Sequence, residues 1–316
     1  MHFLSLETHD PYFNLALEEV LLKNRSKEYL ILGINDPAVI IGKHQSPHRE
    51  VNTKFITENE IPVLRRISGG GTVFHDRGNL NFTFIRNSEE GKQVDFLKYT
   101  QPVIEFLVSV GINARFEGKN DIKVDGLKVS GNAEHVHRNR VLHHGTLLFS
   151  SAIGLLKNSI REDKSCYTTR AVDSNPSSVM NLNEKLLNYS DILEFSKAMM
   201  HYFSLNMTDL ELCDLSQQDT DEAMSLAETK YRRWEWNFAY GPEYVFNNTF
   251  RYDDKPHSCL LHVKNGVVSQ CAFEGSNKMV SVAVKFVGCR HMVPDFLNLF
   301  EKENITISGQ EIFNFF

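Results

Sequence analysis

The sequence has little that would tie it to a membrane, a nucleic acid or a disulfide framework. Its 316 residues include five cysteines, Cys166, Cys213, Cys259, Cys271 and Cys289. The count is odd, the positions are scattered and no Cys-x-x-Cys pair exists, so free thiols in a reducing compartment are expected. No apolar run reaches about 18 residues, so no transmembrane helix is expected. The balance of 34 basic to 40 acidic side chains gives a net charge of −6, which argues against nonspecific nucleic-acid binding. The opening Met1-His2-Phe3-Leu4-Ser5-Leu6-Glu7 lacks a charged region followed by an apolar stretch, so no secretory signal and a cytoplasmic location are expected. Neither the Gly-x-x-x-x-Gly-Lys-Ser/Thr spacing nor Gly-x-Gly-x-x-Gly occurs. There is no internal repeat and no low-complexity tract. No His/Cys/Asp cluster has metal-ligand spacing, so no tightly bound metal is expected.

What is present suits a folded chain. Hydrophobic residues make up 41%, enough for one large domain and something smaller. Asp10-Pro11 can cap and start a helix, with Phe13, Leu17, Val20 and Leu21 on one face. Tyr29 to Ile34 and Ala38 to Ile41 read as two strands around Asn35-Asp36-Pro37. Pro62 to Ile67 is a strand broken by Ser68-Gly69-Gly70-Gly71, and Asn79 to Arg86 alternates as a strand does. Residues 94–110 predict an amphipathic helix stopped at Gly111. Asp125-Gly126 between short apolar segments is the strongest hairpin signal. Val141 to Phe149 reads as a strand, and 191–203 and 218–230 as helices. Beyond Gly241-Pro242, a hairpin signal at Asn265-Gly266 and a helix around Pro294 to Glu301 suggest a small accessory domain. We therefore expect an α+β fold with mixed, largely antiparallel sheets flanked by helices, over domains 1–241 and 242–316.

Four segments could carry chemistry. In Arg65-Arg66-Ile67-Ser68-Gly69-Gly70-Gly71-Thr72-Val73-Phe74-His75-Asp76, three glycines let the backbone approach a ligand. The two arginines suit a phosphate or carboxylate, and the alternative is a flexible connection with solvated arginines. Lys128 is either a solvated hairpin lysine or, with Ser130 and Gly131 leaving room beside it, a cation that stabilises developing charge. His143 and His144 are adjacent on a strand and point to opposite faces, so they do not readily share a metal. Cys166 is a nucleophile if a base lowers its pKa, and otherwise a structural cysteine.

In order along the chain these segments resemble the lipoate–protein ligase family, which shares its catalytic fold with biotin ligases and octanoyltransferases. The matching pieces are the arginine–glycine segment through Asn79, then Asn120-Asp121, Lys128-Val129-Ser130-Gly131-Asn132-Ala133 and His143-His144-Gly145-Thr146-Leu147-Leu148. Val179-Met180-Asn181-Leu182 resembles the end of the family's adenylate-binding loop, and Trp234-Glu235-Trp236-Asn237 the motif closing its large domain. The resemblance implies that lipoate and MgATP give lipoyl-adenylate, whose lipoyl group passes to a lysine of a lipoyl-carrier domain. The implied partners are the E2 subunits of 2-oxoacid dehydrogenases and the glycine cleavage H protein. It further implies that Arg66, Gly69, Gly70, Gly71, Thr72, Val73 and Phe74 hold the nucleotide, with Asn79, Asp121 (through Mg²⁺), Ser130 and Gly131. Lys128 would be the catalytic residue, and His75, His144 and Gly145 would shape the pocket. One departure concerns Ser174-Asn175-Pro176-Ser177-Ser178-Val179, where the family is arginine-rich. That pattern is similar to lipoyltransferases, which take preformed lipoyl-adenylate. A third reading is an octanoyltransferase with Cys166 as nucleophile and Lys128 as base, although Cys166 lacks a Pro-Cys-Gly context. A fourth is an inert binding protein.

Overall fold

The computed structural model describes residues 1–88 and 94–316. In chain order the first strands are β1 (His2–Ser5), β2 (Tyr29–Ile34), β3 (Ala38–Ile41), β4 (Val63–Arg65) and β5 (Val73–His75). Next come β6 (Asn79–Asn87), β7 (Ala114–Glu117), β8 (Asp121–Val124), β9 (Leu127–His137) and β10 (Arg140–Leu148). The last are β11 (Tyr167–Thr169), β12 (Glu211–Leu212), β13 (Tyr244–Tyr252), β14 (Lys255–Lys264) and β15 (Val267–Glu274). They form an eight-stranded sheet in the order β12-β1-β2-β6-β10-β9-β8-β7, a four-stranded sheet β11-β13-β14-β15 and a three-stranded sheet β4-β3-β5. Within the large sheet only the pairs β12–β1 and β1–β2 are parallel. The fold is α+β and largely antiparallel.

The chain divides into two compact units. The first holds Met1–Lys43, Pro62–Lys157 and Ser174–Arg232, and the second His44–Ile61, Asn158–Asp173 and Arg233–Phe316. The first contains the large and the three-stranded sheets. Asp10 caps its first helix, Pro11–Asn24, by accepting from the Tyr12 amide. This helix buries most of its circumference rather than one stripe. Helices Phe96–Ser109 and Ile192–Asn206 pack their apolar faces together, with Phe106 and Phe195 rings 5.4 Å apart. They cover the sheet face that carries Leu80, Phe82 and Phe84. β2 and β3, adjacent in sequence, do not pair, because β2 joins the large sheet and β3 the small one.

The second unit packs β13–β15 against helices Asn277–Val282 and Val293–Lys302 around Phe246, Phe273, Phe286 and Phe296. Asn265 and Gly266, at φ 50° and 70°, make its hairpin turn, a two-residue geometry that favours Asn-Gly. β11 joins this sheet beside β13 from the earlier part of the chain. Among the described residues no helix is long and apolar enough to cross a membrane.

Candidate active site

Asp125 and Gly126 have φ of 50° and 79° and turn β8 back into β9, as the Asp-Gly pair requires. Just past the turn the register slips. Lys123 pairs with Lys128 but Ile122 pairs with Ser130, so Val129 is an extra residue on β9. Such a bulge bends the strand and re-aims its side chains. The Lys128 backbone bonds to a passing segment instead of to β8, its amide donating to Ser178 and its carbonyl accepting from Met180. The Lys128 side chain folds back over Gly131. A Cβ there would lie 3.0 Å from both Cε and Nζ of Lys128 and 3.9 Å from Val73 Cγ1. Gly131 is thus the opening that lets the ammonium pass between β9 and β5. Nζ ends 2.8 Å from Asp121 Oδ1, with both side chains about a fifth exposed, 22% and 18%.

The glycine segment is held by buried charge. Arg65 is fully buried, and Nη1 donates to the carbonyls of Gly42 and Lys43. Arg66 donates from Nε to Ser68 Oγ, from Nη1 to the Ile40 carbonyl, and from Nη2 to those of Gly69 (2.6 Å) and Gly71 (2.7 Å). The sequence suggested an anion for these arginines. The structure directs these donors to the backbone of residues 40–43, to the Ser68 hydroxyl and, from Arg66 Nη2, to the loop carbonyls of Gly69 and Gly71, so Arg66 ties the loop to β3. Burial pulls the Arg66 guanidinium down to about 10, against the pull of Glu18, which leaves it charged at neutral pH. Of the three glycines, Gly70 adopts φ +86°, a region L residues rarely enter. Gly71 lies against Ser174, whose Oγ accepts from the Thr72 amide at 2.9 Å.

The two candidate histidines are held by different partners. Ser68 Oγ, already accepting from Arg66, is 2.6 Å from His144 Nε2. The other ring nitrogen, Nδ1, is 2.9 Å from Glu18 Oε2, so the ring is fixed from both sides. His75 Nδ1 accepts from Asn35 at 2.8 Å, and Asn35 is held in turn by Asn14. Burial, with His144 and Arg66 adding repulsion, lowers His75 to about 3. His75 is thus buried in its neutral form. Asp76 accepts from Gly78, Ser151 and Ala152 and only shapes a turn.

On the opposite face of the sheet, buried His143 places Nδ1 on Glu134 (2.9 Å) and Nε2 on Asn132 (3.2 Å). Asn132 also bonds Ser130 Oγ, and Gly145 leaves the space it fills, since a Cβ there would sit 2.2 Å from Asn132 Oδ1. Ser130 and Gly145 thus brace the strand from behind. Asn79 donates to Asn81, while its buried Oδ1 has no partner among the described residues. That atom is an acceptor a ligand amine could satisfy.

The structure therefore brings Lys128, Asp121, Gly131 and Val73 together, with Thr72 tied to Ser174. Cys166 belongs to the second unit, its Sγ 3.8 Å from Asn248 Oδ1. Sequence reasoning missed Glu18, which orders His144 and also accepts from Thr83. Its helix reads as amphipathic, and nothing local marks that carboxylate. It also missed Gly42, where a Cβ would lie 2.1 Å from the Gly70 carbonyl oxygen.

Residues 10–204 match the lipoyl protein ligase A/B catalytic domain. The lipoate–protein ligase LplJ of Bacillus subtilis is 37% identical over 271 residues, 84% of this chain and 82% of that protein. A lipoate–protein ligase A solved with bound ATP is 25% identical, with a TM-score of 0.65 over 75% of this chain and 98% of that one. A Thermoplasma acidophilum protein solved with bound lipoic acid is also 25% identical, with a TM-score of 0.64 and the same coverage.

Proposed function

The chain belongs to the lipoyl protein ligase A/B catalytic-domain family, and from that premise we infer that it is an ATP-dependent lipoate–protein ligase. Lipoate and ATP are its substrates. The lipoate carboxylate attacks the α-phosphorus of ATP and pyrophosphate leaves. A lysine amine of a lipoyl-carrier domain then attacks the carbonyl of the mixed anhydride and AMP departs. The acceptors are E2 subunits of 2-oxoacid dehydrogenases and the glycine cleavage H protein, encountered in the cytoplasm. The chemistry belongs to residues 1–241, with 242–316 as accessory domain.

The observation that carries this reading is the reach of Lys128. Its ammonium passes over Gly131 beside Val73, and Asp121 holds it at 2.8 Å. A fixed cation at that point can neutralise charge developing on the α-phosphate and on the acyl carbonyl oxygen. A carboxylate reacts with an amine only after activation, so the remaining work is alignment of the two reactants. Gly69, Gly70, Gly71, Thr72, Val73 and Phe74 would hold the nucleotide, with Arg66 acting through the shape it gives the loop. The unpartnered Asn79 Oδ1 suits an amine on the nucleotide. Asp121, whose Oδ1 pairs with Lys128, would be the carboxylate to hold the Mg²⁺ of MgATP, which would offset charge on the phosphates.

A second reading rests on residues 174–178. No arginine stands there, and the neutral Ser174 hydroxyl meets the glycine loop at the Thr72 amide. A lipoyltransferase working from preformed lipoyl-adenylate would need less positive charge at that place. The two readings separate in one assay with lipoate, MgATP and a carrier domain. We expect pyrophosphate release coupled to lipoylation. Modification from supplied lipoyl-adenylate without pyrophosphate release from lipoate and ATP would leave only the transferase.

A further inference from the structure

One end of the eight-stranded sheet is closed by β1 and the two-residue β12, whose residues lie more than two hundred positions apart in sequence. We propose that His2, Glu211 and Cys213 on these strands form a binding site for a single divalent transition-metal ion of the zinc class. The pairing register sets the three side chains together. His2 lies opposite Glu211, and opposite residues on neighbouring strands share a face. Pairing runs one residue past β12, because the Cys213 amide donates to the Phe3 carbonyl at 3.0 Å. The period of two then returns Cys213 to the face of Glu211.

The side chains converge. His2 Nδ1 is 2.8 Å from Cys213 Sγ, and one ligand atom from each of the three residues falls within 4.8 Å of the others. The His2 ring rests against Tyr29, with ring centroids 5.7 Å apart. The Met1 ammonium is taken up by the Asp209 carbonyl. Strand and ring are therefore fixed on both sides of the ligand atom. An imidazole nitrogen, a thiolate and a carboxylate oxygen form a zinc-type donor set, whereas magnesium and calcium prefer oxygen alone. With neutral histidine, the two anionic ligands balance a divalent ion. Three protein ligands leave a fourth position for water. On binding, the Sγ–metal bond replaces the S–H bond, the thiol proton passes to solvent and no oxidation state changes. The ion would fasten a short, exposed edge strand, the part of a sheet most open to unwanted pairing.

The site is independent of the ligase reading and is tested without catalysis. Full-length protein freed of metal with a chelator is titrated with Co²⁺, and the thiolate-to-cobalt charge-transfer band is followed. We expect saturation at one equivalent, displacement of the band by Zn²⁺, and a rise in melting temperature with Zn²⁺. The band should vanish in Cys213→Ser, weaken in His2→Gln, and persist in Cys166→Ser and Cys271→Ser. Melting curves without metal identify any variant that fails to fold. Absence of the band in the wild type, or its survival in Cys213→Ser, overturns the proposal.

Discussion

The glycine segment and the stretch 174–178 both touch the Lys128 neighbourhood, and they are held by opposite means. The first is wrapped around a buried guanidinium that bonds Ser68, Ile40, Gly69 and Gly71. The second meets the site through the Ser178 carbonyl, which accepts from the Lys128 amide, and through the Ser174 hydroxyl on Thr72, and residues 175–178 are exposed. A buried charge satisfied by carbonyls tolerates little displacement, because each lost bond leaves a desolvated group behind. A neutral, exposed stretch can shift at small cost. The loop is therefore a fixed cradle, while the later stretch is the adjustable side of the site.

Lys128 is where the two meet, and its loss should have the largest effect. Lys128→Ala is expected to lower lipoylation about 10²–10³-fold, the scale of removing one preorganised donor, with an unchanged melting temperature. The drop should appear with lipoate and MgATP and with lipoyl-adenylate. Near-normal transfer in this variant would dissolve the comparison. Arg66→Ala should destabilise by on the order of 3 kcal/mol, since several charge-assisted bonds disappear at once. Thermal melting checks this, and Arg66→Lys should recover only part, lacking the planar fork.

The cradle should also carry its own pH signature. His75 sits at about 3 in the folded chain and near 6.5 when unfolded. Below pH 6.5 the unfolded state binds the extra proton, so stability should fall as pH drops toward 3 and stay flat above 6.5. The slope from one such group is at most roughly 1.4 kcal/mol per pH unit. His135 and His291, each at about 4, push the same way, so the sharper measurement is the shallower slope in His75→Gln. A slope that does not change would mean that His75 is not buried neutral.

Smaller effects belong to the adjustable side. Ser174→Ala removes one neutral bond, about 1 kcal/mol, and should raise the KM for ATP several-fold while barely moving the melting temperature. An effect as large as that of Arg66→Ala would erase the distinction between the two segments. Cys166→Ser, in the second unit, should leave lipoylation at the wild-type rate. A large loss there would revive the thiol mechanism.

The contrast also governs what the sequence reveals. Local chemistry was legible: Asp10 caps a helix, Asp125-Gly126 and Asn265-Gly266 turn hairpins, and three glycines mark the cradle. Long-range partners were not. β1, β11 and β12 are short, and each depends on strands distant in sequence, so no periodicity announces them. Glu18 looks like any solvated helix residue until His144 is placed beside it. The purpose of Arg66 was invisible for the same reason, since the carbonyls it bonds carry no side-chain signature.

The extra residue at Val129 has one more consequence. A strand is read in twos, and Val129 makes the count odd, so β9 has a parity much as a coding sequence has a reading frame. Residues on its two sides are out of phase. Deleting Val129 would restore even pairing with β8 and send Lys128 to the wrong face, with every other residue of the site still present. Substitutions at the Asp125-Gly126 tip leave that phase intact. The information that aims the ammonium is thus stored in how many residues lie between Gly126 and Gly131 as much as in which they are.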